Sequence, residues 1–355
     1  MINMQELKYK KNLESVVKRN KLFWTGNYNR NNLIKIEIEN NSVFDTWVRV
    51  LSPEYCPDFY KMFDVFIDNF KTREYLLDDA IPTARPSFGS SAYGAFFGGE
   101  IIFGKTGGYS KPLLSDIKNF KKPSYDFNNF WLKRQIEATK YFVKKAKGLC
   151  SISIIETMDS LNLAENLFGS LIYVHLIDFP KEVLKIFDFA FEFNIKLIEE
   201  QRKHIKKILD GYSDIHEEWL PGNAIWLSID TWSQCSIDIF KKLGKQHLQE
   251  IINYFGGGWL HMHNSALHLL EEVSKVKGLL GIGIIDDPKQ NRCLPRLREI
   301  QKITRDMPLQ INCTKDEFIN GLKNKTLPRN IMYWIDKGVK TIEEANKLVE
   351  LVYEY

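Results

Sequence analysis

Trp259-Leu260-His261-Met262-His263-Asn264 is an apolar run that ends in two histidines. Gly256, Gly257 and Gly258 precede it, a cluster that stops a helix and frees the chain to turn. Leu267, Leu269, Leu270 and Val273 follow at helical spacing. The stretch therefore reads as helix end, strand, polar rim, helix. His261 and His263 stand two apart, so on a strand both project from the same face.

The same alternation recurs on either side. Residues 149–155, 222–229, 279–285, 307–311 and 331–335 are short apolar, β-branched runs, each followed by a helical pattern. Two earlier runs bring the count to eight. In 33–38, Ile34, Ile36 and Ile38 alternate with Lys35 and Glu37, the pattern of an exposed strand, and 81–85 is the other. Helices are predicted over 59–77 and, after Asp178 and Pro180, over about 181–209. Thr341 and Glu344 form a capping-box signature ahead of Ala345, Leu348, Val349 and Val352. Eight strand–helix units predict an α/β fold of the (β/α)8 TIM-barrel type. It would be one domain over 1–355, with residues 1–30 as an N-terminal helical extension. In such a barrel the polar strand ends gather at the C-terminal mouth.

Composition agrees with a globular chain: 355 residues, 44% hydrophobic and 26% charged. The net charge of +4 is small and dispersed, which excludes the basic footprint of a nucleic-acid binder. Lys144-Lys145-Ala146-Lys147 reads as a helix C-terminus, with Gly148 as its stop. No apolar stretch is long enough to span a bilayer, and residues 1–21 lack a leader pattern. Five scattered cysteines (Cys56, Cys150, Cys235, Cys293, Cys313) argue against a disulfide framework and for a cytoplasmic setting.

Several strand ends carry candidate residues, each with a structural alternative. Asp230 follows an apolar run and faces a barrel mouth or caps a turn. Asp286 and Asp287 precede Pro288, so one serves the turn while the other faces the mouth. Arg85 can clamp a carboxylate or form a rim ion pair. Tyr93 can offer its hydroxyl to a ligand or simply pack, and Trp232 can stack on a substrate or cover the rim. Other features are discounted. Gly104-Lys105-Thr106-Gly107-Gly108 lacks phosphate-loop spacing, and Gly281-Ile282-Gly283 lies inside a strand, where glycine relieves crowding. His216-Glu217-Glu218 reads as a polar connection and His204 as part of a solvated helix face. Cys235 and Cys313 read as buried thiols.

Beyond these readings, several segments resemble a known family. They are Pro82-Thr83-Ala84-Arg85-Pro86-Ser87-Phe88-Gly89, then Phe97-Gly98-Gly99-Glu100-Ile101-Ile102-Phe103. Residues 159–169, Asp178-Phe179-Pro180-Lys181-Glu182-Val183, and Ser228-Ile229-Asp230 with Ser236 and Phe240 complete the set. In order and spacing, over about 24–352, they are similar to the uroporphyrinogen decarboxylase superfamily, with Ile237 where it has proline. His261 falls at that superfamily's "H-x-C-G" or "H-x-D-G" position.

The resemblance implies a TIM barrel with its site at the C-terminal mouth, in a family whose members commonly form homodimers. That family holds porphyrin-pathway decarboxylases and zinc-dependent corrinoid methyltransferases. In place of the decarboxylases' "R-Q-A-G-R-Y", residues 24–30 offer only Arg30. In place of the methyltransferases' "H-x-C" and distant cysteine stand His261-Met262-His263 and Ile335-Asp336. His261, His263 and Asp336 would then form a two-histidine, one-carboxylate set suited to zinc or iron. Preferred over that set is the reading in which both histidines hydrogen-bond a substrate or line the barrel mouth, without metal. The favoured reading is a divergent methyltransferase-type enzyme taking a small polar or anionic substrate with a corrinoid protein as partner. In it His261 and His263 polarise or coordinate, Asp230 or Asp286 handles protons, and Arg85 anchors a carboxylate. The rivals are a decarboxylase in the strict sense and a ligand-binding barrel without turnover.

Overall fold

The computed structural model of the chain describes residues 6–26, 32–104 and 107–354; Arg30 and the Lys105-Thr106 pair lie outside the described residues. Among the described residues, eight parallel strands coincide with the eight apolar runs of the sequence. They are β1 (Leu33–Ile36), β2 (Thr83–Ala84), β3 (Ser151–Ile152), β4 (Ile225–Ser228), β5 (Gly258–His263), β6 (Leu279–Ile285), β7 (Leu309–Thr314) and β8 (Ile331–Lys337). Six of them form one sheet in the order β1-β8-β7-β6-β5-β4, and β2 pairs with β3.

Two seams close the ring. Between β3 and β4, Ser228 N donates to Thr157 O at 3.1 Å and Asp159 N to Ser228 O at 3.2 Å. Between β1 and β2, Asp79 N donates to Ile34 O at 2.8 Å. There Asp79 and Asp78 also accept Ile34 N at 2.9 Å and Ile36 N at 3.0 Å. Two carboxylates thus stand in for ladder carbonyls, and Lys10 and Arg19 hold them at 2.9 and 2.6 Å. The result is a TIM barrel. Among the described residues no helix is long and apolar enough to cross a membrane.

The long helix after β3 spans Pro180–Arg202, shorter than the expected 181–209. The chain beyond it builds an antiparallel hairpin, Gly211–Ser213 with Trp219–Pro221. Its turn enters the barrel from the N-terminal end. Lys35 of β1 donates to His216 O at 2.5 Å, Ile81 N to Glu217 O at 2.8 Å, and Gln310 of β7 to Glu218. Ile215 and Leu220 pack with Leu33, Trp226, Trp259 and Met332 from four further positions around the wall. Only an element inside the ring can touch all of these strands. His216-Glu217-Glu218 is therefore a plug, not a solvated connection.

The plug also corrects the reading of β1. Lys35 and Glu37 are each 2% exposed. Their alternation with isoleucine marks the barrel interior, where Lys35 meets the plug and Glu37 accepts from Trp334 Nε1 at 3.1 Å. Below the plug, the helix Leu13–Trp24 seals the end: Trp24 Nε1 donates to Trp219 O at 2.8 Å, and its ring lies 4.7 Å from that of Trp259. Glycine at 281 is required here. A Cβ on Gly281 would sit 2.6 Å from the Trp259 ring and 3.0 Å from that of Trp24.

Candidate metal centre at the barrel mouth

On β5, Trp259, His261 and His263 share one face. Since Trp259 lies in the barrel interior, so do both histidines. Neighbouring β4 is paired with β5 in register Ser228↔His261, and the chain leaves it through a short turn over Asp230–Gln234. This brings Asp230 beside the histidines. The Nε2 atoms of His261 and His263 face each other at 3.2 Å, and Asp230 Oδ1 lies 3.7 Å from each. A triangle with sides of 3.2, 3.7 and 3.7 Å has a point about 2 Å from all three corners, the bond length of zinc to nitrogen or oxygen.

The protonation pattern suits the same use. His263 Nδ1 donates to Asp287 Oδ1 at 2.7 Å, which assigns the ring its tautomer and leaves Nε2 with a lone pair. Burial pushes His261 down to about 4, so its ring is neutral near pH 7. Asp230 Oδ1 is buried and accepts no hydrogen bond. Two imidazole nitrogens and a bare carboxylate oxygen converging on one point is an arrangement a cation stabilises.

Asp336, expected as the third ligand, is not beside the histidines. Its strand β8 is three places round the ring from β5, about 14 Å at ~4.8 Å per strand, whereas β4 is adjacent. Asp336 instead accepts from Asn312 Nδ2 at 2.9 Å, and its other oxygen is buried without a partner. Of the aspartate pair after β6, Asp287 takes His263. Asp286, expected to handle protons, organises the loop: it accepts from Cys293 N at 2.9 Å, Asn264 at 3.2 Å and Arg292 at 3.1 Å.

Two aromatic candidates are buried, with their polar atoms taken. Tyr93 is fully buried, donates to Glu156 O at 2.8 Å and packs on Phe96 and Phe193. Trp232 is 1% exposed and donates to Asp159, whose carboxyl burial pushes up to about 6. All five cysteines are free and buried, and burial pushes the Cys235 thiol up to about 12. Arg85 leaves the end of β2 with its guanidinium carbon 5.3 Å from the Trp47 ring.

The sequence reading missed three contributors. The sequence does not say which of Asp286 and Asp287 meets the histidines, and nothing in it marks Trp47. His216, at the tip of the plug, forms the floor of the mouth. Its ring centroid lies 5.2 Å from those of both His261 and Trp226 and 5.9 Å from that of Trp334. Burial, then the neighbouring His261, Lys35 and Arg85, hold this imidazole well below its ordinary value. A signal for the plug is present in the sequence: about twelve residues separate the expected helix end at 209 from the apolar run at 222, where such connections usually take about two to six.

No protein-family model matches the chain, and no curated protein matches it in sequence. Among solved structures it is similar to a methyltransferase from Methanosarcina mazei, with a TM-score of 0.66 and 14% sequence identity, over 96% of this chain and 98% of that one. At that identity the likeness is one of fold, and it runs from end to end.

Proposed function

We propose that this chain is a metal-dependent, methyltransferase-type enzyme of the uroporphyrinogen decarboxylase superfamily. It would act at the barrel mouth on a small polar or anionic substrate, with a corrinoid protein as methyl carrier. The observation that carries the metal reading is Asp230 Oδ1, buried, without a hydrogen bond, and 3.7 Å from two facing imidazole nitrogens. The resemblance at 82–89 and 228–240 and the end-to-end fold likeness to a methyltransferase support the choice of reaction.

Asp230, His261 and His263 would hold a divalent cation of the zinc or iron type, leaving positions open for substrate. When bound, it supplies a Lewis acid that lowers the pKa of a coordinated acceptor. The chain's own residues do the rest. Asp287 orients His263. Burial keeps His261 neutral. The tip of the plug, His216 between Trp226 and Trp334, closes the chamber below and keeps water from entering by the lower end.

The test is zinc titration of the chelated full-length protein by calorimetry. Methylcobalamin then serves as methyl donor, and loss of its cobalt–carbon absorbance is the readout. One zinc per chain is expected in the wild type, and none at comparable affinity in Asp230→Ala, His261→Ala or His263→Ala. Stoichiometric zinc that survives all three substitutions would overturn the ligand assignment. Zinc-loaded protein that leaves methylcobalamin intact with every acceptor offered would overturn methyl transfer.

A further inference from the structure

Arg85 is 4% exposed, yet among the described residues it forms no ion pair, and its Nε is buried without a hydrogen-bond partner. The neighbouring strand end shows that the fold did not leave it bare for want of acids. Glu156, the carboxylate that acts on it most strongly, is already engaged: one oxygen accepts from Trp47 Nε1 at 3.1 Å and the other from Ser87 Oγ. Trp47 belongs to the helix Val43–Val50 that follows β1, so the stacked guanidinium lies on the mouth side of the barrel. A guanidinium stays charged in proteins, so burying one without an anion is costly. A bound anion offsets that cost.

The shape and the field narrow the ligand. The planar fork of arginine matches a carboxylate through two parallel hydrogen bonds. Glu37, Glu156, Asp214 and Glu217 all act on Arg85 through space, and that acidic surround disfavours a dianion such as phosphate. Arg85 and the histidine pair stand at strand ends on the mouth side, and both act through space on His216. In the ring, β2 stands three strands from β5.

We propose that Arg85, stacked on Trp47, is a subsite for a monoanionic carboxylate carried by the substrate, across the mouth from Asp230, His261 and His263. The proposal rests on the mouth being the substrate site, but not on a metal being present. It is tested on full-length, chelated protein by calorimetry with benzoate as the probe, benzamide as its uncharged counterpart and inorganic phosphate as the dianion.

Benzoate is expected to bind the wild type at least about tenfold more tightly than benzamide or phosphate, and Arg85→Met to lose about tenfold or more. Arg85→Lys, which keeps the charge without the fork, should fall between. Ligand-free Arg85→Met should melt no lower than the wild type, because it removes a bare buried charge. Equal benzoate binding in Arg85→Met, failure of the wild type to bind benzoate, or lower melting of both Arg85→Met and Arg85→Gln would overturn the subsite. Benzoate binding that depends on Arg85 in a chain that takes up no zinc would keep the subsite and overturn the metal reading.

Discussion

The two ends of this barrel treat buried charge differently. At the lower end most ions meet a counter-ion, although Arg73 Nε, Asp214 Oδ2 and Glu218 Oε2 are buried without a hydrogen bond. Arg73 donates to both oxygens of Glu217 at 3.2 and 3.1 Å, Lys10 and Arg19 hold Asp78 and Asp79, and Lys35 lies 3.9 Å from Glu218. At the upper end Asp230 Oδ1, Asp336 Oδ1 and Arg85 Nε are buried with nothing to bond. Paired charges below fix the plug and the β1–β2 seam in one arrangement. Incomplete charges above cost stability in the free protein, a cost that a bound ligand would offset. Charge in the interior of a barrel is therefore no sign of function by itself.

The largest effect is expected from breaking the lower end. Arg73→Met strands Glu217 in the interior and should cost about 3–5 kcal/mol in urea unfolding. Adding Glu217→Gln should recover a good part of that loss. If the single substitution is neutral, the plug is not held by its ion pairs and the contrast between the two ends fails.

Asp159 is an intermediate case, a carboxyl in the upper half satisfied by neutral donors, with Trp232 and Asn162 as partners and no cation. Burial pushes it up to about 6. Its folded value lies above the unfolded value of ~3.9, so the protonated form favours the fold. That contribution is complete below about pH 4 and is lost as the pH rises through about 6, amounting to up to about 3 kcal/mol. Asp159→Asn should remove this slope from stability measured between pH 4 and 6. A variant curve parallel to the wild type would place the raised group elsewhere.

The smallest effect falls on the site. Asp287→Asn leaves the first ligands in place but loosens the tautomer of His263, and should weaken zinc binding about 10- to 100-fold with little change in melting of the chelated protein. A large loss of stability without a change in zinc affinity would make Asp287 part of the scaffold.

The strands were legible because each is a short β-branched run between helical patterns, and a strand buried on both faces has that signature whatever its neighbours. The pair His261 and His263 was legible for a similar reason, since a separation of two fixes a shared face. The third member was not. Whether Asp230 or Asp336 joins them depends on which strand is adjacent to β5, and that is a property of the closed ring. Asp286 and Asp287 differ by one residue, so which of them meets His263 follows from the pleat and the loop. The plug was illegible for another reason. His216-Glu217-Glu218 has the composition of a solvated turn, and the groups that satisfy it lie 92 to 181 residues away in sequence, in Gln310, Arg73 and Lys35. Tyr93 and Trp232 carry polar atoms that suit a ligand equally well, and only their burial shows those atoms spent on Glu156 and Asp159.

In many barrels one end evolves while the other endures, because the loops that make the site and the loops that make the base are separate segments. The hairpin that carries His216 removes that independence. It belongs to a connection on the base side, yet its tip sets how far a substrate can descend. Lengthening or trimming that hairpin would change the depth of the chamber, and hence the size of molecule admitted, without altering any residue on the rim. Diversity in this architecture can therefore arise from behind the site, by changing a part that a survey of the mouth loops would never include.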